Sequence, residues 1–286
     1  MKTWILNYSK VLRRTSQILS FLFLMAIPLL NKQGLDWFVG TLYSIDILGW
    51  TIADPAMILQ MILLGQPLLW TLVLAVSIPI ILALIFGRIF CSWMCPYNFL
   101  AELLYKLRRF VFPRKINRNK NPARNLQWMI LGSIFLLIIV TGVPLIVFLS
   151  MPGLMTAEMT DLVFDGSFGL ELILVAGVLI LDTFLFKRIW CKYLCPVGLT
   201  LSLFKTPWSL RVTSQSTACV HCDTVREHTC NQACPLDLNP RRPKNLYPSC
   251  YNCLDCVSSC HQHGGALDVA FGQSHNYIKN TNKEIG

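Results

Sequence analysis

Twelve cysteines carry most of the chemistry this chain can offer, and their spacing sorts them into three groups. The first is a repeat. Gly87-Arg88-Ile89-Phe90-Cys91-Ser92-Trp93-Met94-Cys95-Pro96 matches Lys187-Arg188-Ile189-Trp190-Cys191-Lys192-Tyr193-Leu194-Cys195-Pro196, 100 residues further on. The second is Cys219-x2-Cys222-x7-Cys230-x3-Cys234-Pro235, and the third is Cys250-x2-Cys253-x2-Cys256-x3-Cys260.

The third group has ferredoxin spacing. Three closely set thiolates wrap three irons of one [4Fe–4S] cubane, and the fourth cysteine reaches across to a second cluster. That logic gives cluster one Cys219, Cys222, Cys230 and Cys260, and cluster two Cys250, Cys253, Cys256 and Cys234. Two features depart from the pattern. Seven residues, Asp223–Thr229, separate Cys222 from Cys230 and are expected to bulge outward, and His261 stands where proline usually follows Cys260. Paired C-x2-C motifs also bind zinc, but zinc ribbons rarely set three cysteines within seven residues before a fourth.

The C-x3-C-P copies leave several chemistries open. On a helical backbone the two cysteines of each copy share a face, and four thiols then converge between the copies. They suit a thiol redox site, a copper or other soft-metal site, or a contact surface; burial as small apolar residues is the alternative. Asp182 closes an apolar run, where an acid is a functional candidate by default. It is placed to take a proton from a quinol, or to pair with Arg88, Lys187 or Arg188. Cys91, Cys95, Cys191, Cys195 and Asp182 are the candidate catalytic residues.

What must position these groups is a membrane core. Of 286 residues, 54% are hydrophobic and 14% charged, against about 25% charged in a soluble domain. The apolar residues gather in runs, Ile18–Leu30, Pro67–Phe86, Trp128–Leu149 and Phe168–Phe186, near the roughly 20 residues that cross a bilayer. Nine basic residues lie between Arg88 and Arg124 and eleven from Lys187 onward, whereas 31–66 holds only Lys32 and 150–167 none. The positive-inside rule then makes both termini and the middle loop cytoplasmic. The net charge of +10 is a topology signal, and nucleic acid is not an expected partner. In the first outer loop, Ala56–Leu64 after Asp54-Pro55 is too short to span and reads as re-entrant, interfacial or an amphipathic loop.

The expected fold is thus an all-α membrane protein. Four transmembrane helices form two duplicated hairpins over residues 1–205, each of them span, outer loop, span and C-x3-C-P. A small α+β ferredoxin-like cytoplasmic domain with two [4Fe–4S] clusters follows over 206–286. Cytosol keeps thiols reduced, so grouped cysteines there read as metal ligands and not as disulfides. All five histidines lie in the C-terminal part, which excludes bis-histidine haem within the spans. Flavin and nucleotide motifs are absent.

Four spans, paired R-I-[FW]-C-x3-C-P motifs and a two-cluster tail resemble the NapH/MauN family of membrane ferredoxin-type proteins over nearly the whole chain, with Cys91-Ser92-Trp93-Met94-Cys95-Pro96 the most specific piece. The resemblance implies a place in the bacterial cytoplasmic membrane and oxidation of quinol from the quinone pool. It also implies electron delivery to a respiratory or maturation partner through another iron–sulfur or cytochrome subunit. The membrane core is similar to that of NosR-type and CcoG-type polyferredoxins. Cys234-Pro235-Leu236-Asp237-Leu238-Asn239-Pro240 looks more like the CcoG branch, which implies copper reduction and metallocentre assembly. A non-enzymatic redox-sensing scaffold is the third expectation.

Overall fold

The computed structural model describes residues 2–34, 38–41, 44–47, 49–67, 70–111, 124–164, 166, 169–184, 188–214, 229–240, 246, 249–261 and 266–272. The chain is mostly helical. It opens with α1 (Lys2–Lys32), a three-stranded antiparallel sheet β1 (Phe38–Thr41), β2 (Ser44–Ile47) and β3 (Trp50–Ala53), and α2 (Pro55–Leu63). Then come α3 (Trp70–Phe86), the short α4 (Ile89–Trp93) and α5 (Pro96–Val111).

The second half repeats this order without the sheet. It runs α6 (Arg124–Thr141), α7 (Leu145–Leu149), α8 (Met151–Phe164), α9 (Leu170–Phe184), a one-turn π-helix at Trp190–Leu194, and α10 (Pro196–Leu203). The tail holds β4 (Arg211–Ser214), α11 (Thr229–Gln232), α12 (Asp255–His261) and β5 (Leu267–Ala270). β4 and β5 pair antiparallel, Arg211 opposite Ala270.

α1 contains a 25-residue stretch, Tyr8–Lys32, long and apolar enough to cross a bilayer, and stands alone in that among the described residues. Trp70–Phe86 and Asn125–Thr141 are shorter apolar helices. α3 buries only Ala75 and Ala83 of its side chains and leaves Leu74 62% and Ile81 52% exposed. α6 and α9 do the same with Leu136, Val140 and Ile173. Broad apolar exposure of this kind marks a surface that meets something other than water.

Two expectations change. The run Trp128–Leu149 is not one helix. Gly142 adopts φ +66 and Pro144 follows as the cap residue of α7; a left-handed glycine ends a helix and proline cannot continue it. The stretch 150–167, read as an outer loop, is instead largely the helix α8, with Met151 to Thr156 and Glu158 buried. Glu158 accepts from Leu172 N at 2.9 Å and Gly169 N at 3.3 Å, so it satisfies the free N–H groups that begin α9.

Ala56–Leu64 falls largely within the short helix α2, partly buried against the rest of the chain. Asp54 caps α2 by accepting from Ala56 N at 3.0 Å, Pro55 fills its first turn, and Ala56 and Gln60 are buried. Gln60 Oε1 in turn accepts from Ile146 N at 2.8 Å, which ties α2 to the start of α7.

Candidate functional site

The proline of each C-x3-C-P copy explains the local shape. Pro96 and Pro196 start α5 and α10, where a missing N–H costs nothing, and Cys95 and Cys195 sit just before them. Phe99 N donates to Cys95 O at 3.2 Å and Leu199 N to Cys195 O at 3.1 Å, the first bonds of the two helices. Both thiols also accept N–H groups of the first turn, from Asn98 and Tyr97 in one case and Gly198 in the other.

The turn before each proline is wide. Cys95 N bonds Phe90 O at 3.1 Å and Cys195 N bonds Trp190 O at 2.9 Å, both five residues back. The two cysteines of a copy therefore do not share an α-helical face, as i and i+4 spacing had suggested. A π-type turn sets them apart instead.

The copies interlock. Arg88 Nη2 donates to Cys191 O at 3.1 Å, and Arg188 Nη1 donates to Asn98 Oδ1 and, at 2.9 Å, to Tyr251 Oη. A matching pair of buried glutamines clamps the motifs: Gln17 Nε2 donates to Ser92 O at 2.8 Å and Gln127 Nε2 to Lys192 O at 2.9 Å. The packing crosses over between the halves. Cys95 of the first copy packs with Met151, Leu154 and Met155 of α8, and Cys195 of the second packs with Ala56 of α2. All four cysteines line one small cavity of about 20 Å³, together with Arg88, Tyr97 and Tyr251.

A second cavity of about 20 Å³ is lined by Cys234, Cys250, Cys253 and Cys256, with Tyr251 again in its wall. Leu238 N approaches Cys234 Sγ at 3.4 Å. Asn252 and Leu254, between the cysteines, have φ 53 and 64, which coils the loop tightly around the cavity. Cys230 and Cys260 are buried in the same apolar cluster as Cys234 and Cys256, on α11 and α12. Cys219 and Cys222 lie outside the described residues.

Among the described residues no three His, Cys, Asp or Glu side chains come together as ligands of one metal ion. A cubane holds its thiolates at four separate corners, and four cysteines around one cavity fit it. Burial raises Cys234 to about 11 and Cys195 to about 12, and lifts Cys91, Cys191, Cys253 and Cys256 as well. Neutral buried thiols are poor nucleophiles, whereas a bound metal deprotonates them outright.

Asp182 feels the charge of Arg188 while its carboxylate oxygens bond elsewhere, and Lys187 lies outside the described residues. Asp182 Oδ2 accepts from Tyr97 Oη at 2.9 Å and Oδ1 from Trp190 N at 3.1 Å. It lines a half-open cleft of about 520 Å³ that also reaches Cys234, Arg13, Arg14, Glu102, Arg188 and Asp255. Here Arg13 joins Glu102 at 2.9 Å and Asp255 at 3.0 Å, and Arg14 and Arg188 also face Glu102. Burial pushes the Glu102 carboxyl up, but Arg188, Arg13 and Arg14 outweigh it and hold it below the usual carboxylate range. Sequence reasoning missed this network and the two glutamines; their only signal was polar residues inside apolar or amphipathic stretches.

A family profile described as a 4Fe-4S binding domain matches residues 68–117 and 168–207. An uncharacterized protein of Methanocaldococcus jannaschii is 26% identical over 280 residues, 98% of this chain and 93% of that one. The methylamine utilization ferredoxin-type protein MauN of Paracoccus denitrificans is 30% identical over 232 residues, 79% of this chain and 75% of MauN. The ferredoxin-type protein NapH of Escherichia coli is 25% identical over 238 residues, 78% of each chain. No solved structure matches.

Proposed function

Because the chain belongs to the NapH/MauN family of ferredoxin-type proteins, we propose that it is the membrane-bound redox subunit of a quinol dehydrogenase. In this reading it links the quinone pool to a further iron–sulfur or cytochrome subunit. The observation that carries it is the 520 Å³ cleft, in which Cys234 and Asp182 line one space. A quinol must lose both electrons and protons, and the cleft sets a ligand of the expected cluster beside a carboxylate.

Cys250, Cys253, Cys256 and Cys234 would hold one cubane, and Cys219, Cys222, Cys230 and Cys260 the other. When bound, these groups supply one-electron redox chemistry. The chain's own side chains do the rest. Asp182, oriented by Tyr97 Oη and Trp190 N, accepts a phenolic proton. Arg13, Arg14 and Arg188 line the same cleft and favour the anionic form that follows deprotonation. α1, α3, α6 and α9 serve as four spans over residues 1–205, with both termini and the 206–286 domain on the cytoplasmic side. The apolar faces of α3, α6 and α9 support that arrangement.

Anaerobic low-temperature EPR tests the reading. A menaquinol analogue alone is expected to produce reduced-cluster signals in the purified protein, at a level set against full reduction by dithionite. Signals with dithionite but none with quinol would remove the quinol dehydrogenase role.

A further inference from the structure

The first 205 residues send cations into the loops of the ferredoxin-spaced cysteines, and four of them reach the set Cys234, Cys250, Cys253 and Cys256. Arg13 of α1 bonds Asp255 at 3.0 Å, beside Cys256. Arg188 bonds Tyr251 Oη at 2.9 Å, between Cys250 and Cys253. Lys192, in the second C-x3-C-P turn, comes within 3.5 Å of Leu236 O in the loop that follows Cys234. Lys205 lies just after α10. A Cβ at Gly87 would press on Lys205 Cδ and on Asn252 Nδ2, each at 3.3 Å, so the glycine leaves room for the two side by side. Asn252 Oδ1 in turn meets Cys250 Sγ at 3.5 Å.

The two arginines are matched by carboxylates. Arg13 has Asp255 and Glu102, and Arg188 faces Glu102. The lysines differ. Lys205 is half-buried, and its electrostatic partners among the described residues are Cys250, Arg88 and Arg211, with no carboxylate. Lys192 is 5% exposed and faces Cys234 and Asp237. An ammonium taken out of water needs an opposite charge, and a neutral thiol supplies none. A cubane on four thiolates supplies it, because that centre is anionic and gains a further negative charge on reduction. A fixed cation near such a centre favours its reduced form over its oxidised one.

We infer that Lys192 and Lys205 raise the reduction potential of the centre held by Cys234, Cys250, Cys253 and Cys256. They are positioning residues: neither touches a substrate, and each acts through the cysteine loop that it faces. The effect suits the proposed source of electrons. A quinol is a mild reductant and ordinary ferredoxin clusters need a strong one, so a ferredoxin-spaced centre fed by quinol must be made easier to reduce. Both lysines belong to residues 1–205, so the tail acquires this potential only when it is docked on that part of the chain.

The inference rests on the cluster placement proposed above, and the experiment separates the two. The full-length chain, purified anaerobically, is titrated potentiometrically with low-temperature EPR and assayed for iron and acid-labile sulfide. Cys253→Ser identifies the component that belongs to this centre, as the one it removes. For that component, at one fixed potential, the ratio of reduced to oxidised centre is expected to fall about tenfold in Lys192→Gln, with iron unchanged. Tenfold corresponds to about 59 mV for a one-electron couple. The fall is smaller in Lys205→Gln, because solvent screens a half-buried charge, and larger in the double variant. Lys205→Arg keeps the charge and is expected to stay at the parent potential. Parent potentials in both glutamine variants at full iron content would overturn the inference and leave the clusters standing. Should Lys192→Gln misfold, Lys205→Gln decides alone. Loss of iron in both would also overturn it, since the lysines would then support the fold and not the potential. Lowered potentials in the variants of a protein that dithionite reduces and quinol does not would uphold the inference and strike only the quinol reading. No cluster signal in the parent even with dithionite would remove the ground of both.

Discussion

Glu102 receives three arginines. Arg13, Arg14 and Arg188 converge on it from α1 and from the second C-x3-C-P copy, and its side chain is only 6% exposed. Removing it would leave those cations facing one another, so Glu102→Gln is expected to cost about 3–5 kcal/mol, the usual cost of breaking a buried pair. The pH dependence has a definite sign. The folded carboxyl is held below its ordinary range, so its contribution is full above about 4.3, the unfolded value. It is lost as pH falls through the depressed folded value. Thermal melts in detergent from pH 7 to 3 are expected to show an acid-side loss in the parent that Glu102→Gln lacks. At the cleft, Asp182→Asn is expected to slow quinol-driven cluster reduction by about 10²-fold or more, as for loss of a general base, and to leave dithionite reduction unchanged. The cysteines were legible in the sequence because spacing alone restricts what they can bind. Gln17 and Gln127 were not, because a buried glutamine acquires meaning only from the backbone carbonyl it meets.

Elements were legible where a single period governed them. α1 lies where the first apolar run and its basic lead predict a helix, and the paired prolines mark the starts of α5 and α10. The break at Gly142–Pro144 was hidden because hydropathy is blind to backbone sign: the run stays apolar through Leu149 while φ at Gly142 reverses. The helix α8 was hidden for the opposite reason. Glu158 and Asp161 gave it the composition of a surface loop, although Glu158 is spent inside, on the first turn of α9. Close approach makes one element-level expectation sharp. Gly198→Ala forces Arg88 to move within a packed core, and an overpacked site typically costs about 1–3 kcal/mol. Combining it with Arg88→Lys, which shortens the colliding group, is expected to recover part of that loss in chemical denaturation. Neighbouring sites of this kind do not add.

At the scale of the whole molecule, the duplicated halves exchange their short helices. α2 packs on the second motif and α8 on the first. The repeat was visible in the sequence as ten aligned positions, five of them identical, but the exchange was not, since it depends on contacts between residues about 60 to 140 positions apart. Orientation is open to direct measurement. A C-terminal alkaline phosphatase fusion is expected to be inactive and a C-terminal fluorescent-protein fusion bright, as both termini read as cytoplasmic from the lysine and arginine bias. High phosphatase activity would reverse the assignment.

The bond from Arg13 to Asp255 joins residues 242 positions apart. At ordinary ribosome speeds of about 5–20 residues per second, the first arginine waits roughly 10–50 s for that partner to be made. During that interval its charge is not yet paired with Asp255. The bond can form only after α12 has been made, so it latches the first helix, α1, onto an element of the tail.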